Sequence, residues 1–203
     1  MNIKSKILII AGSDSSGGAG IQADIKTVTA FGSYAMTAMT AVTAQNTKGV
    51  KNIVSIPIKN INKQITMVLE DIGTDFVKIG MLHNVGVIKC VYRVLKKHKL
   101  KNVVLDPVMI AKGGTKLLSM NSIKYIKKLL IPLSYIVTPN IPEAEILTGC
   151  SISNKEDMIK VAKKILKMGS KNVLLKGGHL KSKMIFDILV TEKGTKIFKR
   201  KRI

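Results

Sequence analysis

Residues 6–24, KILIIAGSDSSGGAGIQAD, join three patterns that together indicate the fold class. The apolar run over 6–11 is short and continuous, which is typical of a strand buried on both faces of a sheet. A glycine-rich loop at 12–20 follows it, and apolar residues then recur at helical spacing over 21–31. The stretch therefore predicts a strand, a tight loop and a helix. The apolar positions of this helix are Ile21, Ile25, Val28 and Phe31.

The same alternation continues through the chain. Strand-like apolar runs are separated by amphipathic segments, and this order predicts a largely parallel sheet with helices on both faces. We expect one α/β domain over residues 1–203, closed by a hairpin built from 185–190 and 195–198. The further strand-like runs lie at 75–79, 102–105, 135–137 and 172–175.

Two amphipathic segments give the clearest helix predictions. In the second of them, Asn154 is placed to cap the helix and Gly169 to end it. The apolar stripes are Val87, Ile88, Val91, Val94 and Leu95 in the first segment, and Met158, Val161, Ala162, Ile165 and Leu166 in the second.

The net charge of +22, from 34 basic and 12 acidic residues, raises the question of nucleic-acid binding. However, Arg93, Arg200 and Arg202 are the only arginines, and aromatic residues make up only 4% of the chain. Arginine and aromatic side chains supply most base readout and stacking. We therefore expect no specific nucleic-acid partner.

No stretch of the sequence reaches the roughly 20 apolar residues of a membrane helix. The N-terminal apolar run is also too short for a signal peptide. We expect a cytoplasmic protein with no membrane partner. Cys90 and Cys150 lie in unrelated contexts, which favours reduced thiols over a disulfide or a metal site.

Five informative loops follow predicted strands. In open α/β sheets, ligands bind at the carboxyl ends of the strands, so these loops predict a site for small-molecule and phosphate chemistry. The first of them is not a Walker A loop, because Gly18 stands where lysine is required. The five loops are 12–20, 80–83, 106–114, 138–143 and 176–179.

Two carboxylates and a lysine stand out in these loops. Asp106 and Glu143 each follow a predicted strand, and carboxylates delivered from separate strand ends suit Mg²⁺ held partly through water and nucleotide phosphates. Lys176 offers an ammonium that suits a phosphate.

Taken together, these loops resemble the hydroxymethylpyrimidine/phosphomethylpyrimidine kinases of thiamine biosynthesis, which belong to the ribokinase-like superfamily. The resemblance runs from Lys6 to the end of the chain, and pyridoxal kinases are the nearest rival family. The most specific matches are AGSDSSGGAGIQAD (11–24), TAQNT (43–47), KIGML (78–82), LDPVM (105–109), TPNIPEAE (138–145) and LLKGGH (174–179).

The resemblance implies a role for several residues. Gln45 would hydrogen-bond the aminopyrimidine ring, and Asp24 would contact the hydroxymethyl end of the substrate. Asp106 and Glu143 would lie near Mg²⁺. The family uses ATP as co-substrate and phosphorylates the hydroxymethyl group and then the monophosphate. The remaining implied positions are Gly12, Met81 and Val108 around the pyrimidine, and Asn140 and Lys176 near the nucleotide phosphates.

One feature of the family is missing from the 203 residues. The family carries a G-T-G-C loop beyond an Arg-Ile like the one at 202–203, and Cys90 and Cys150 cannot take the role of its cysteine. We therefore expect a fold without its C-terminal part and no catalytic residue of that loop. The alternatives are a non-catalytic remnant that binds the pyrimidine or a pyridoxal-type kinase. A homodimer is compatible with the resemblance.

Overall fold

The computed structural model describes residues 3–110, 117–180 and 182–202. A π-helical turn (Ile126–Leu130) and a 3₁₀ turn (Ile131–Leu133) directly follow the helix Met120–Tyr125. The strands are β1 (Lys6–Asp14), β2 (Tyr34–Asn46), β3 (Gly49–Ser55), β4 (Phe76–Ile79), β5 (Val103–Leu105), β6 (Ile136–Val137), β7 (Asn172–Leu175), β8 (Met184–Thr191) and β9 (Gly194–Lys201). The α-helices are α1 (Gly20–Ala30), α2 (Ile58–Asp71), α3 (Val85–Lys97), α4 (Met120–Tyr125), α5 (Ile141–Thr148) and α6 (Lys155–Leu166).

All nine strands belong to one sheet, in the order β3-β2-β1-β4-β5-β6-β7-β8-β9. The neighbours from β2 to β7 pair in parallel, whereas β3, β8 and β9 join the edges in antiparallel pairs. The predicted largely parallel sheet and the predicted C-terminal hairpin are both confirmed.

The strand order reverses at β1, which has β2 on one side and β4 on the other. Right-handed connections that run in opposite directions from one strand place their helices on opposite faces of the sheet. Accordingly, Ile21 of α1 packs on Ile9 and Ala11, whereas Ile61 of α2 belongs to the main core with Leu8. The reversal opens a crevice at the carboxyl ends of β1 and β4.

The helices are distributed unevenly over the two faces. The predicted stripes of α3 and α6 are confirmed, since their residues are buried or packed against the main core, and Asn154 caps α6 through the Asp157 N–H. The predicted stripe of α1 is wrong in part, because Ile25 is 37% and Phe31 is 70% exposed. Among the described residues, α1 is the one helix on its face, so it has no neighbouring helix to cover those positions.

The hairpin of β2 and β3 did not emerge from the sequence patterns. β2 alternates small and polar residues (TAMTAVTA, residues 37–44) and has no strongly apolar run. The predicted loop at 138–143 is also shorter than expected, because α5 begins at Ile141. In the predicted loop at 106–114, residues 111–114 lie outside the described residues.

The structure also describes both cysteines and the lengths of the helices. Cys90 is buried, Cys150 is half-buried, and both thiols are free. Within the part of the chain that the structure describes, no helix combines the length and the apolar character needed to cross a membrane.

The glycine-rich loop is organised around the carboxylate of Asp14. One oxygen of Asp14 accepts hydrogen bonds from the N–H and the hydroxyl of Ser16, and the other accepts from the N–H groups of Gly18 and Ala19. Burial alone would raise the pKa of Asp14, but these hydrogen bonds outweigh it and hold the pKa below its ordinary value. The N–H groups of these three residues are therefore engaged within the protein.

Gly20 is required where this loop enters α1. Its φ of +57° lies in the left-handed region, which favours glycine, and a Cβ at this position would clash with the carbonyl oxygen of Gly12. Both the backbone conformation and the close approach of β1 thus demand a residue without a side chain.

We predict that Gly20→Ala lowers the free energy of unfolding by about 2 kcal/mol or more, because strain and clash act together. Urea unfolding followed by circular dichroism measures the change. Gly49→Ala is the matched control, since a Cβ there meets no atom within 4 Å, and it should change stability by less than about 0.5 kcal/mol. Equal effects of the two substitutions would contradict the assignment.

Candidate active site

A cavity of about 270 Å³ occupies the crevice at the carboxyl ends of β1 and β4. It is enclosed by the glycine-rich loop, the first turns of α1, the end of β2 and the segments that follow β4 and β5. Six residues singled out in the sequence line it together, although they are up to 96 positions apart (12 to 108). These residues are Gly12, Asp24, Gln45, Met81, Asp106 and Val108.

Gln45 lies at the end of β2, beside an irregularity in the pairing with β3. The pairing shifts by one residue between Ala44 and Gln45, and the extra residue, Lys51, belongs to β3. The hydroxyl of Ser15 fixes the backbone there, because it donates to the Gln45 carbonyl oxygen at 2.7 Å and accepts from the Gln45 N–H at 2.9 Å. Thr43 Oγ1 lies 3.2 Å from Gln45 Oε1. The half-buried amide is thus held at the rim of the cavity.

The apolar wall of the cavity depends on Gly12 and Met81. The register between β1 and β2 shifts at Gly12, and a Cβ there would lie 2.5 Å from the terminal methyl of Met81. The Met81 carbonyl accepts a hydrogen bond from Thr40 at 2.7 Å, and its side chain packs in a small cluster with Val108. These residues give the cavity an apolar wall, which suits contact with a small ring.

Asp24 projects from α1 and forms an ion pair with Lys78 of β4, whose Nζ lies 2.6 Å from Asp24 Oδ2. Both side chains are about one-fifth exposed and line the cavity. The sequence patterns did not single out Lys78 for a role. Its signal was a lysine inside the otherwise apolar strand FVKI (76–79), where a charge needs a partner.

Asp106 stands at the end of the cavity that is nearest to β6 and β7. Its N–H extends the sheet by donating to the Ile79 carbonyl at 2.8 Å. Its Oδ1 accepts hydrogen bonds from Thr138 and from the Lys176 ammonium, both at 2.9 Å. The predicted carboxylate and the predicted phosphate-binding lysine therefore meet directly across β6.

Asn140 and Glu143 form a capping box at the start of α5. The Asn140 side chain accepts from the Glu143 N–H, and the Glu143 carboxylate accepts from the Asn140 N–H, both at 2.9 Å. The pKa of Glu143 is raised to about 7, mainly by burial and also by the nearby Asp106, while the Asn140 N–H and Lys176 oppose the shift. Glu143 lies beside Asp106 but does not line the cavity.

The oxygen donors here fit a magnesium ion that is held only partly by protein. Asp106 Oδ2 has no hydrogen-bond partner among the described side chains, whereas the carboxylate of Glu143 already caps α5. No group of three or more acidic, histidine or cysteine side chains forms a metal cluster within the ranges that the structure describes. Asp106 therefore suits direct coordination, and Glu143 suits a contact through water.

The strand order determines the sequence in which these residues lie along the carboxyl ends of the strands. Gln45, Gly12 and Lys78 belong to β2, β1 and β4, whereas Asp106 and Lys176 follow β5 and β7. Neighbouring strands are about 5 Å apart, so the amide of β2 and the lysine after β7 are separated by roughly 25 Å. An apolar, ring-sized half and a charged half thus lie side by side.

Known proteins share both the sequence and the fold. The family model described as phosphomethylpyrimidine kinase matches residues 14–203. A hydroxymethylpyrimidine/phosphomethylpyrimidine kinase of Bacillus subtilis is 51% identical over 174 residues, covering 86% of this chain and 64% of its own length. The thiamine biosynthesis bifunctional protein ThiED of Geobacter sulfurreducens is 48% identical, covering 92% of this chain and 38% of its own length. The chain thus spans less than two thirds of these relatives.

Solved structures agree with these matches. A phosphomethylpyrimidine kinase from Clostridium difficile superimposes with a TM-score of 0.89 at 51% identity, covering 96% of this chain and 84% of that one. The ADP complex of a Bacillus subtilis pyridoxal kinase gives the same TM-score at 38% identity, covering 98% of this chain and 76% of that one. Because the family model spans nearly the whole sequence and close relatives carry the same fold, this chain belongs to the phosphomethylpyrimidine kinase family.

Proposed function

We propose that the cavity binds 4-amino-5-hydroxymethyl-2-methylpyrimidine and its monophosphate, and that the chain serves their ATP-dependent phosphorylation in the biosynthesis of thiamine diphosphate. The observation that carries the proposal is the arrangement along the sheet edge, where a ring-sized pocket with an amide adjoins a carboxylate and a lysine. Relatives named as kinases of this substrate support it.

The apolar half of the site suits an aminopyrimidine, which would accept the phosphoryl group. A volume of about 270 Å³ lies below the usual range for drug-sized ligands, so it fits a single ring with small substituents. The Gln45 amide both donates and accepts, which matches a ring nitrogen beside an exocyclic amine. Asp24, at the α1 side of the cavity, is placed for the hydroxymethyl group.

The charged half of the site suits the phosphates of a nucleotide, which would donate the phosphoryl group. Lys176 supplies a positive charge and hydrogen-bond donors next to Asp106, and Asn140, whose backbone lies beside that of Lys176, adds a side-chain amide to this half. Bound Mg²⁺ would neutralise charge on the phosphates. Asp106 would be its protein ligand, and Glu143 would contact it through water. Pyridoxal kinases of the same fold are known in complex with ADP and with AMP-PCP. Phosphoryl transfer depends largely on such positioning and charge stabilisation.

The family resemblance also implies a G-T-G-C loop, which is not among the 203 residues. Binding therefore tests the described residues more directly than turnover does.

Gln45→Leu should weaken binding of hydroxymethylpyrimidine by about 1–3 kcal/mol, because a ring group loses its partner inside the cavity. Isothermal titration calorimetry on the 203-residue chain measures the change. Asn52→Leu, an exposed amide on the same hairpin, is the matched control and should bind as the parent does.

Equal affinity of Gln45→Leu and the parent would remove Gln45 from pyrimidine recognition. Titration with pyridoxal separates the rival activity. The parent should bind hydroxymethylpyrimidine more tightly, and a reversed order of affinities would favour a pyridoxal-type kinase.

Lys176→Met should weaken binding of ATP with Mg²⁺ by about tenfold or more, because a charge-assisted hydrogen bond to phosphate is lost. It should leave hydroxymethylpyrimidine affinity unchanged, since Lys176 lies outside the pyrimidine cavity. Lys171→Met, an exposed lysine just before β7, controls for the loss of one positive charge. Unchanged ATP affinity in Lys176→Met would place the nucleotide elsewhere.

A further inference from the structure

Lys78 is a charged residue in an unusual place. It lies on β4 opposite Ile9 of β1, on the face covered by α1, and it lines the cavity. Its ammonium has three N–H donors, and one of them is used by Asp24 at 2.6 Å. Asp24 is its one hydrogen-bond partner within the ranges that the structure describes. Two donors therefore remain for a ligand.

Gly80 gives this ammonium access to the rim of the sheet. Lys78 and Gly80 point to the same face of β4, two residues apart. A Cβ at Gly80 would lie 3.2 Å from Lys78 Nζ and 3.0 Å from the Ala11 Cβ. The missing side chain thus leaves space through which the long lysine side chain extends toward the carboxyl end of the strand.

The charges around the cavity make this ammonium important for an anionic ligand. The described lining contains three carboxylates, Asp14, Asp24 and Asp106, but Lys78 is its one basic side chain. The glycine-rich loop already satisfies Asp14, and Lys176 pairs with Asp106. Without Lys78, no basic side chain of the described lining would offset the carboxylate of Asp24, which would repel an anionic acceptor.

We propose that Lys78 is the residue that admits the phosphorylated acceptor, because its ammonium binds the phosphate of the pyrimidine monophosphate while Asp24 orients it. The inference rests on the proposed function. If Asp24 contacts the oxygen of the hydroxymethyl group, a phosphate on that oxygen comes within reach of an Nζ atom 2.6 Å from Asp24. The neutral substrate carries no such group and gains nothing from the ammonium.

The test compares the affinities of hydroxymethylpyrimidine and its monophosphate by calorimetry, without nucleotide. In Lys78→Met, the monophosphate should bind about 10- to 100-fold more weakly, whereas the neutral compound should change by less than about threefold. Lys78→Arg should keep most of the preference for the monophosphate. Lys163→Met, an exposed lysine on α6, should change neither affinity.

A double variant separates direct binding from simple neutralisation of Asp24. In Lys78→Met/Asp24→Asn the repulsion is removed as well, yet monophosphate binding should stay weak because the phosphate still lacks its partner. Full recovery in this variant would overturn the direct contact. An unchanged ratio of the two affinities in Lys78→Met would overturn the whole inference.

Folding and the proposed function are controlled separately. Circular dichroism checks that each variant folds, and Lys78→Gln, which keeps a donor to Asp24, takes the place of Lys78→Met if that variant unfolds. If the parent binds neither compound, the proposed function fails. If the parent binds both and the ratio does not depend on Lys78, the inference alone fails.

Discussion

The parallel pairing of β1 with β2 on one side and β4 on the other is the interaction on which the site depends. It brings the carboxyl ends of three strands to one edge, so that Gly12, Gln45 and Gly80 become neighbours. Because the chain leaves β1 in one direction and returns on its other side, α1 and α2 lie on opposite faces of the sheet. A crevice opens at the carboxyl ends of β1 and β4, where the strand order reverses. The cavity is a consequence of this topology, and the loop residues give it its chemistry.

Much of this arrangement could be predicted from local patterns. The strands β1, β4 and β5 appear in the sequence as apolar runs because they are buried on both faces of the sheet. The apolar residues of α3 appear at helical spacing because this helix is buried on one face. The apolar stripe of α1 was predicted wrongly in part, because a helix without neighbouring helices exposes some of its apolar residues. β2 was missed because its small and polar residues form no apolar run, although β2 lies inside the sheet between β3 and β1.

The residues of the site could also be predicted only in part. Its glycines and carboxylates stood out in the sequence, and six of the residues singled out there line one cavity. The partners could not be predicted, because an ion pair between Asp24 and Lys78 joins residues 54 positions apart that only the strand order brings together. The glycine-rich loop also differs from its appearance, since Asp14 occupies N–H groups that would otherwise be free for a phosphate. The residues proposed to bind phosphate are therefore Lys176 and Lys78, which lie outside this loop.

In the proposed function, pyrimidine and nucleotide occupy adjacent halves of the site at the carboxyl ends of the strands. A crystal structure of the chain with hydroxymethylpyrimidine, Mg²⁺ and a non-hydrolysable ATP analogue would reveal both positions. We expect the ring over Gly12, within about 3 Å of the Gln45 amide, and the terminal phosphate beside Asp106 and Lys176. A ring bound away from β2, or a triphosphate lying over β1 and β2, would contradict it.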